Sequence, residues 1–145
     1  MVVFARDELP SEEKLLRAQM KARNLPIALV FNNQPAREPG QHWLAIYGVS
    51  SASNGGAAAH NGGGLHINIE LFDFNSLPQA EYSLHSNFKS IVHCSQVPFQ
   101  SPNSALCVHY CLYFLFARLH GYSFPALISR LTHHNVHPRT PDEHV

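Results

Sequence analysis

The chain has 145 residues, the size of one domain with room for one core, and its 10 Lys plus Arg balance 10 Asp plus Glu, so it lacks the basic footprint of a nucleic-acid binder. No apolar run is long enough to span a bilayer, and the best candidate contains Arg118 and His120. Three cysteines (94, 107, 111) are an odd number and form no disulfide framework, and Arg6-Asp7-Glu8 places charge where an export signal needs its apolar region; an intracellular, monomeric protein in a reducing compartment (cytoplasm or nucleus), neither secreted nor membrane-bound, is expected.

Taken in order, Phe4 to Pro10 is a short lead-in. Ser11 is a good N-cap, with Glu12 and Glu13 suited to the first turn of a helix running to about Arg23. Leu15, Leu16, Ala18, Met20 and Ala22 give that helix a modest apolar face, and Asn24 and Pro26 stop it. Ile27 to Phe31 is a continuous apolar run that reads as a buried strand, and a turn-rich loop leads from Asn32 to Gly40. His42 to Val49 reads as a second strand, followed by a flexible Gly/Ala/Ser-rich insert at 50–64. The insert has no Gly-Lys-Ser/Thr and is no phosphate-binding loop.

Leu65 to Phe74 alternates cleanly, with Leu65, Ile67, Ile69 and Leu71 on one face and His66, Asn68 and Glu70 on the other, as in a half-buried strand. Asp73 has the parity of the apolar set, so its carboxylate must either find a partner or cap the turn that follows. Residues 79–89 suit a short helix weakly, and Ile91 to Phe99 reads as another strand. From Gln100 the chain enters a polar turn in which Asn103 and Ser104 are N-cap candidates. Leu106 to Leu119 is apolar on nearly all sides, the pattern of a helix inside a domain, and Gly121 suits a left-handed C-terminal cap. Phe124 to Thr132 reads as a last helix. The expected fold class is α+β: a mixed central sheet packed on a buried central helix, one domain over residues 1–145.

The chemistry gathers at the start of that central helix. Cys107 falls in its first turn, where free N–H groups and the helix dipole favour a thiolate. A nucleophilic cysteine also needs a base, a group orienting the base, and donors for an oxyanion. His42 opens one strand, Asp73 ends the next on its apolar side, and Gln100 lies seven positions before Cys107 (107 − 100) with an amide that can reach back. From the residues alone His42 is one of 11 histidines, and its choice as base stays open.

The segment Gln100-Ser-Pro-Asn-Ser-Ala-Leu-Cys107, followed by Val-His-Tyr-Cys-Leu, resembles the nucleophile segment of adenovirus-type cysteine proteases (adenain-like), above all those of Maverick/Polinton-type DNA transposons. Phe4 to Pro10, Glu38 to Tyr47 around His42-Trp43, Leu71-Phe-Asp-Phe74 and Asp142 to Val145 match in the same order, so the resemblance covers nearly the whole chain. It implies an adenain/Ulp-like cysteine-protease fold and a thiol-dependent endopeptidase cutting protein or polyprotein substrates at glycine-containing sites. In that reading Cys107 is the nucleophile, His42 the general base, Asp73 its orienting carboxylate and Gln100 the oxyanion donor. Trp43, Asn103 and Ser104 line a narrow substrate groove. No cofactor is required; a peptide or DNA activator is admitted by the resemblance only.

Val108 stands where the family pattern has glycine, and this supports a competing reading as an impaired homologue that binds peptides or proteins. A processing protease for ubiquitin-like modifiers is a third reading. A metal site from His93, Cys94, Cys107, His109 and Cys111 is the rival chemistry, although Cys-x3-Cys within an apolar helix is not a usual zinc spacing, and Cys111 suits the core.

Overall fold

The computed structural model describes residues 2–23, 25–38, 42–52, 65–73, 88, 91–95 and 106–133. Their architecture is mixed α and β. Five strands, β1 (Val2–Phe4), β2 (Ile27–Asn32), β3 (Trp43–Ala52), β4 (Leu65–Phe72) and β5 (Ile91–Cys94), form one sheet in sequence order, with three helices, α1 (Glu12–Lys21), α2 (Cys107–Leu119) and α3 (Phe124–His133). The three central strands run antiparallel, and the two edge strands join them in parallel. The first crossover, β1 to β2, carries α1.

Helix α1 starts as its sequence dictates. Ser11 is the N-cap, and its hydroxyl accepts from the Lys14 N–H at 3.4 Å. The helix ends two residues short of the expected Arg23, which instead takes a left-handed conformation at φ 56°. Its buried residues are Leu15 and Gln19, whereas Met20, expected on the apolar face, is exposed. Leu15 packs with Leu29, Phe31, Leu44, Ile46, Ile67, Ile69 and Leu71 into one core cluster. The opposite cluster joins Val30, Ala45, Tyr47 and Phe72 to α2 and α3. The alternation of β2 and β3 thus feeds two cores, one on each face of the sheet.

Two sequence expectations need correction. The strand β4 is not half-exposed along its length: His66 is open, but Glu70 and Phe72 are buried. Glu70 tolerates burial because Arg118 of α2 meets it in a two-pronged ion pair, at 2.6 Å and 2.9 Å. The Arg118 guanidinium also lies over the Tyr47 ring, 4.5 Å from its centroid. Conversely, α2 is not enclosed. Cys107, Tyr110, Cys111, Phe114, Leu115 and Ala117 are buried, while Leu112, Tyr113, Phe116 and Leu119 are exposed. An apolar composition on all sides does not decide which side meets the sheet; here only one does.

The helix α2 ends where Gly121 was expected to end it. Gly121 has φ 90°, its N–H donates to the Arg118 carbonyl at 3.1 Å, and the Tyr122 N–H donates to the Ala117 carbonyl at 3.1 Å. This is a Schellman closure. At the other end the N-cap position is Leu106, which makes no side-chain capping bond. Asn103 and Ser104, the expected caps, lie outside the described residues, as do 79–87 of the expected short helix and residues 96–99 of the expected strand. The expected insert at 50–64 is trimmed by β3, which continues to Ala52; 53–64 lie outside the described residues. The edge strand β1 was not foreseen, since three residues with Val2 and Val3 exposed carry no alternation signal.

Aromatic packing seats α2. Phe72 stacks on Phe114 with centroids 4.4 Å apart, and Phe124 of α3 meets both edge-on. Phe114→Ala should therefore lower the unfolding free energy by about 3–5 kcal/mol, read from urea denaturation.

Candidate active site

Because β3 runs antiparallel to β2 and β4, its start lies at the end of both neighbours: Trp43 is opposite Asn32, and Ala45 is opposite Phe72. His42 immediately precedes β3 and Asp73 immediately follows β4, so the two reach the same end of the sheet. There the strand ladder runs out, and each residue is held by one neighbour. Asn33 takes both backbone groups of His42: its Oδ1 accepts from the His42 N–H at 3.1 Å, and its own N–H donates to the His42 carbonyl at 2.9 Å. Ser95, buried just after β5, does the same for Asp73. Its Oγ accepts from the Asp73 N–H at 2.9 Å and donates to the Asp73 carbonyl at 2.5 Å.

The side chains then meet. His42 Nε2 lies 2.6 Å from Asp73 Oδ1, and Asp73 has 0% exposure. A carboxylate sealed from water needs a charged or strongly donating partner, and the imidazole is that partner. With Nε2 engaged, Nδ1 is the ring nitrogen left for the thiol of Cys107, with which His42 is also hydrogen-bonded.

Cys107 is the first residue of α2, and the backbone N–H groups of Trp43 and Val108 converge on its sulfur. The Trp43 N–H is available for geometric reasons. Asn32 and Trp43 are opposite each other, and the bond from Asn33 N–H to the His42 carbonyl makes theirs a non-hydrogen-bonded pair, so the Trp43 N–H turns away from β2.

Electrostatics follow from this arrangement. Burial alone would push the His42 imidazole down, but the hydrogen bonds and charges of Asp73 and Cys107 outweigh it, and its pKa rises to about 9. Burial alone would likewise push the Cys107 thiol up; the His42 hydrogen bond, the Trp43 N–H, the imidazolium charge and the Val108 N–H together bring it below the ordinary thiol value. The two act as a pair, thiolate beside imidazolium, with each ring N–H donating to an anion. Cys111, one turn on, has no such company, and burial pushes its thiol well up, which keeps it a neutral core residue.

Of the residues singled out from sequence, His42, Asp73, Cys107 and Trp43 come together. Gln100, Asn103 and Ser104 lie outside the described residues. Val108 needs no glycine-like conformation, since Arg23 is the one non-glycine residue at positive φ among the described residues. The soft ligands do not converge: Cys94 packs with the cluster on the α1 face, Cys107 and Cys111 with the one on the α2 face, and His93 stacks on Phe124. Among the described residues no three His, Cys, Asp or Glu side chains form a metal-ligating group. Asn33 and Ser95 were not singled out; a polar residue just past a strand is too common a pattern to mark a holder of a neighbour's backbone.

No protein-family model matches the chain, and no curated protein or solved structure matches it at a significant level.

The pair defines a pH window. Above the lowered pKa of Cys107 and below about 9 for His42, the thiolate–imidazolium form holds. Alkylation of Cys107 by iodoacetamide should stay fast to lower pH than for an ordinary thiol, and His42→Ala should move the midpoint upward, to or beyond the ordinary thiol value, because burial then acts unopposed. The same shift bears on stability. A His42 pKa raised from 6.5 to about 9 stabilises the fold fully below about 6.5, and that contribution is lost as pH rises through about 9.

Proposed function

We propose that this chain is a thiol-dependent endopeptidase in which Cys107 is the nucleophile, His42 the general base and Asp73 the residue that orients and charges the imidazole. The observation that carries the reading is His42 held between a fully buried Asp73 and the thiol at the N-terminus of α2. A structural histidine–aspartate pair needs no cysteine hydrogen-bonded to its far side, and a core cysteine has no reason to have its pKa lowered.

The chemistry follows from the groups present. The Cys107 sulfur attacks the scissile carbonyl carbon, and the C–O π electrons move onto oxygen. As the tetrahedral intermediate collapses, the C–N bond breaks and His42, carrying the proton first taken from Cys107, delivers it to the leaving amine. A thioester remains. His42 then removes a proton from water, hydroxide adds to the thioester, and the C–S bond breaks to release the acid and restore the thiol. Asp73 stays ionised throughout and fixes the ring with Nε2 toward itself and Nδ1 toward the sulfur. The resemblance to adenain-like proteases extends the reading to Gln100 as oxyanion donor, to Trp43, Asn103 and Ser104 along the groove, and to glycine-containing cleavage sites.

A glycine-ending vinyl-sulfone peptide should add its mass to Cys107 in the intact protein, and Cys107→Ser should take none. No adduct on Cys107 in a folded sample rejects the enzyme reading in favour of a peptide-binding homologue. With a cleavable peptide in hand, His42→Ala and Asp73→Asn should each lower kcat by about 10²- to 10⁴-fold.

A further inference from the structure

The main chain of Asp73 lies past the end of the sheet's ladders. Its strand makes the last pair with β3 at Phe72 and Ala45, and the last pair with β5 at Leu71 and Cys94. One bond of the β4–β5 ladder continues beyond that pair: the Ser95 N–H donates to the Leu71 carbonyl at 3.2 Å. In a regular parallel ladder the next bond would run from the Asp73 N–H to the Ser95 carbonyl. Here the Asp73 N–H donates to the Ser95 hydroxyl at 2.9 Å, and that hydroxyl donates to the Asp73 carbonyl at 2.5 Å. The Ser95 carbonyl accepts from the Cys94 thiol instead, at 3.6 Å. A side chain has taken over the place of the ladder and closes on both main-chain groups of Asp73.

The clasps on His42 and Asp73 are not equivalent. Asn33 holds His42 through one side-chain bond and one main-chain bond, so the loss of its side chain leaves the second in place. Both Ser95 bonds come from a single oxygen, and removing that oxygen removes both. Ser95 is 3% exposed and Asp73 0%, so bulk water is not at hand to take over the two main-chain groups. The imidazole and the thiol are not among the hydrogen-bond partners of the hydroxyl, so its effect on either one is exerted through Asp73.

An aspartate has one carbon between its main chain and its carboxyl group, so a main-chain shift passes nearly whole to the oxygens. A shift of about 1 Å would make the 2.6 Å contact with His42 Nε2 too long for a hydrogen bond. We propose that Ser95 is a positioning residue of this site: its hydroxyl fixes the main chain of Asp73 and thereby, through the carboxylate and the His42 ring, keeps Cys107 reactive. The assignment rests on the Cys107–His42–Asp73 reading and deepens it; Ser95 itself touches no reacting atom. Among the described residues, the titratable groups that bear on the site are His42 ahead of β3, Asp73 after β4, and Cys107 and Cys111 on α2. Cys111 stays a neutral thiol, so a change in the pH range of the Cys107 thiolate reports on His42 and Asp73.

The test follows the rate of Cys107 alkylation by iodoacetamide against pH in the full chain. Ser95→Ala should raise the midpoint by about 0.5–1 pH unit, in the same direction as Asp73→Asn and by less. Leu15→Ala, which loosens the core cluster on the α1 face, should leave the midpoint at its wild-type value. The proton NMR signal of the His42 Nε2–H should also move upfield in Ser95→Ala, as its bond to Asp73 weakens. With a cleavable peptide, kcat should fall about 10-fold at unchanged KM. An unmoved midpoint in folded Ser95→Ala, or an equal shift in Leu15→Ala, overturns the role. A measurement on the wild-type protein needs no variant to fold: the Asp73 amide should exchange with deuterium as slowly as amides inside β4, and exchange at the rate of a frayed strand end overturns the clasp. The alkylation profile does not depend on peptide hydrolysis. A protein that takes the vinyl-sulfone adduct but shows no Ser95 effect loses the positioning role alone. One that shows the Ser95 effect without the adduct loses the endopeptidase reading and keeps Ser95 as the residue that poises its thiol.

Discussion

A buried carboxylate at the end of a sheet is the constraint on which the rest of this molecule depends. Asp73 is sealed from water, and its charge is met by the His42 imidazole 2.6 Å away. That distance fixes the relative position of β3 and β4 at one end, because one residue precedes its strand and the other follows. It also demands order where strands ordinarily fray. The clasps by Asn33 and Ser95 supply it, each closing on both backbone groups of one partner. The ladder's hydrogen bonding is thus continued by one residue on either side, and the imidazole is aimed.

The thiol is brought to this pair by packing on the opposite scale. The stack of Phe114 on Phe72 anchors α2 on the residue next to Asp73 in the chain, and the Glu70–Arg118 pair anchors it again two residues earlier. The helix therefore presents its first turn to the end of the sheet, where its free N–H groups and the imidazole act on the sulfur together. The half-exposed course of α2 follows from the same geometry: a helix lying on one sheet face buries one side, whatever the composition of the other. A buried ion pair in that interface gives orientation more than net stability.

Much of the fold was legible from pattern. Ser11 with two glutamates marked the start of α1, and Gly121 marked the end of α2, because capping chemistry acts within a few residues. The alternation of Ile67, Ile69 and Leu71 marked β4 and put Asp73 in the buried phase. What pattern missed came from distant contacts. Glu70 reads as a solvent-facing residue until Arg118, 48 positions later, arrives to pair with it. The edge strand β1 exists through its pairing with β2 and has too few residues to signal itself.

The candidate site divides along the same line. By itself the sequence determined that an apolar helix would follow the polar turn, that Cys107 would sit in its first turn, and that Asp73 would share the parity of the apolar set; these depend on short-range periodicity and on chemistry carried by single residues. Only the tertiary structure decided which of the 11 histidines meets Asp73, and that Asn33 and Ser95 hold the pair. The physical reason is that strand register and helix docking join residues 9, 22 and 31 positions apart, and no local pattern encodes such pairings.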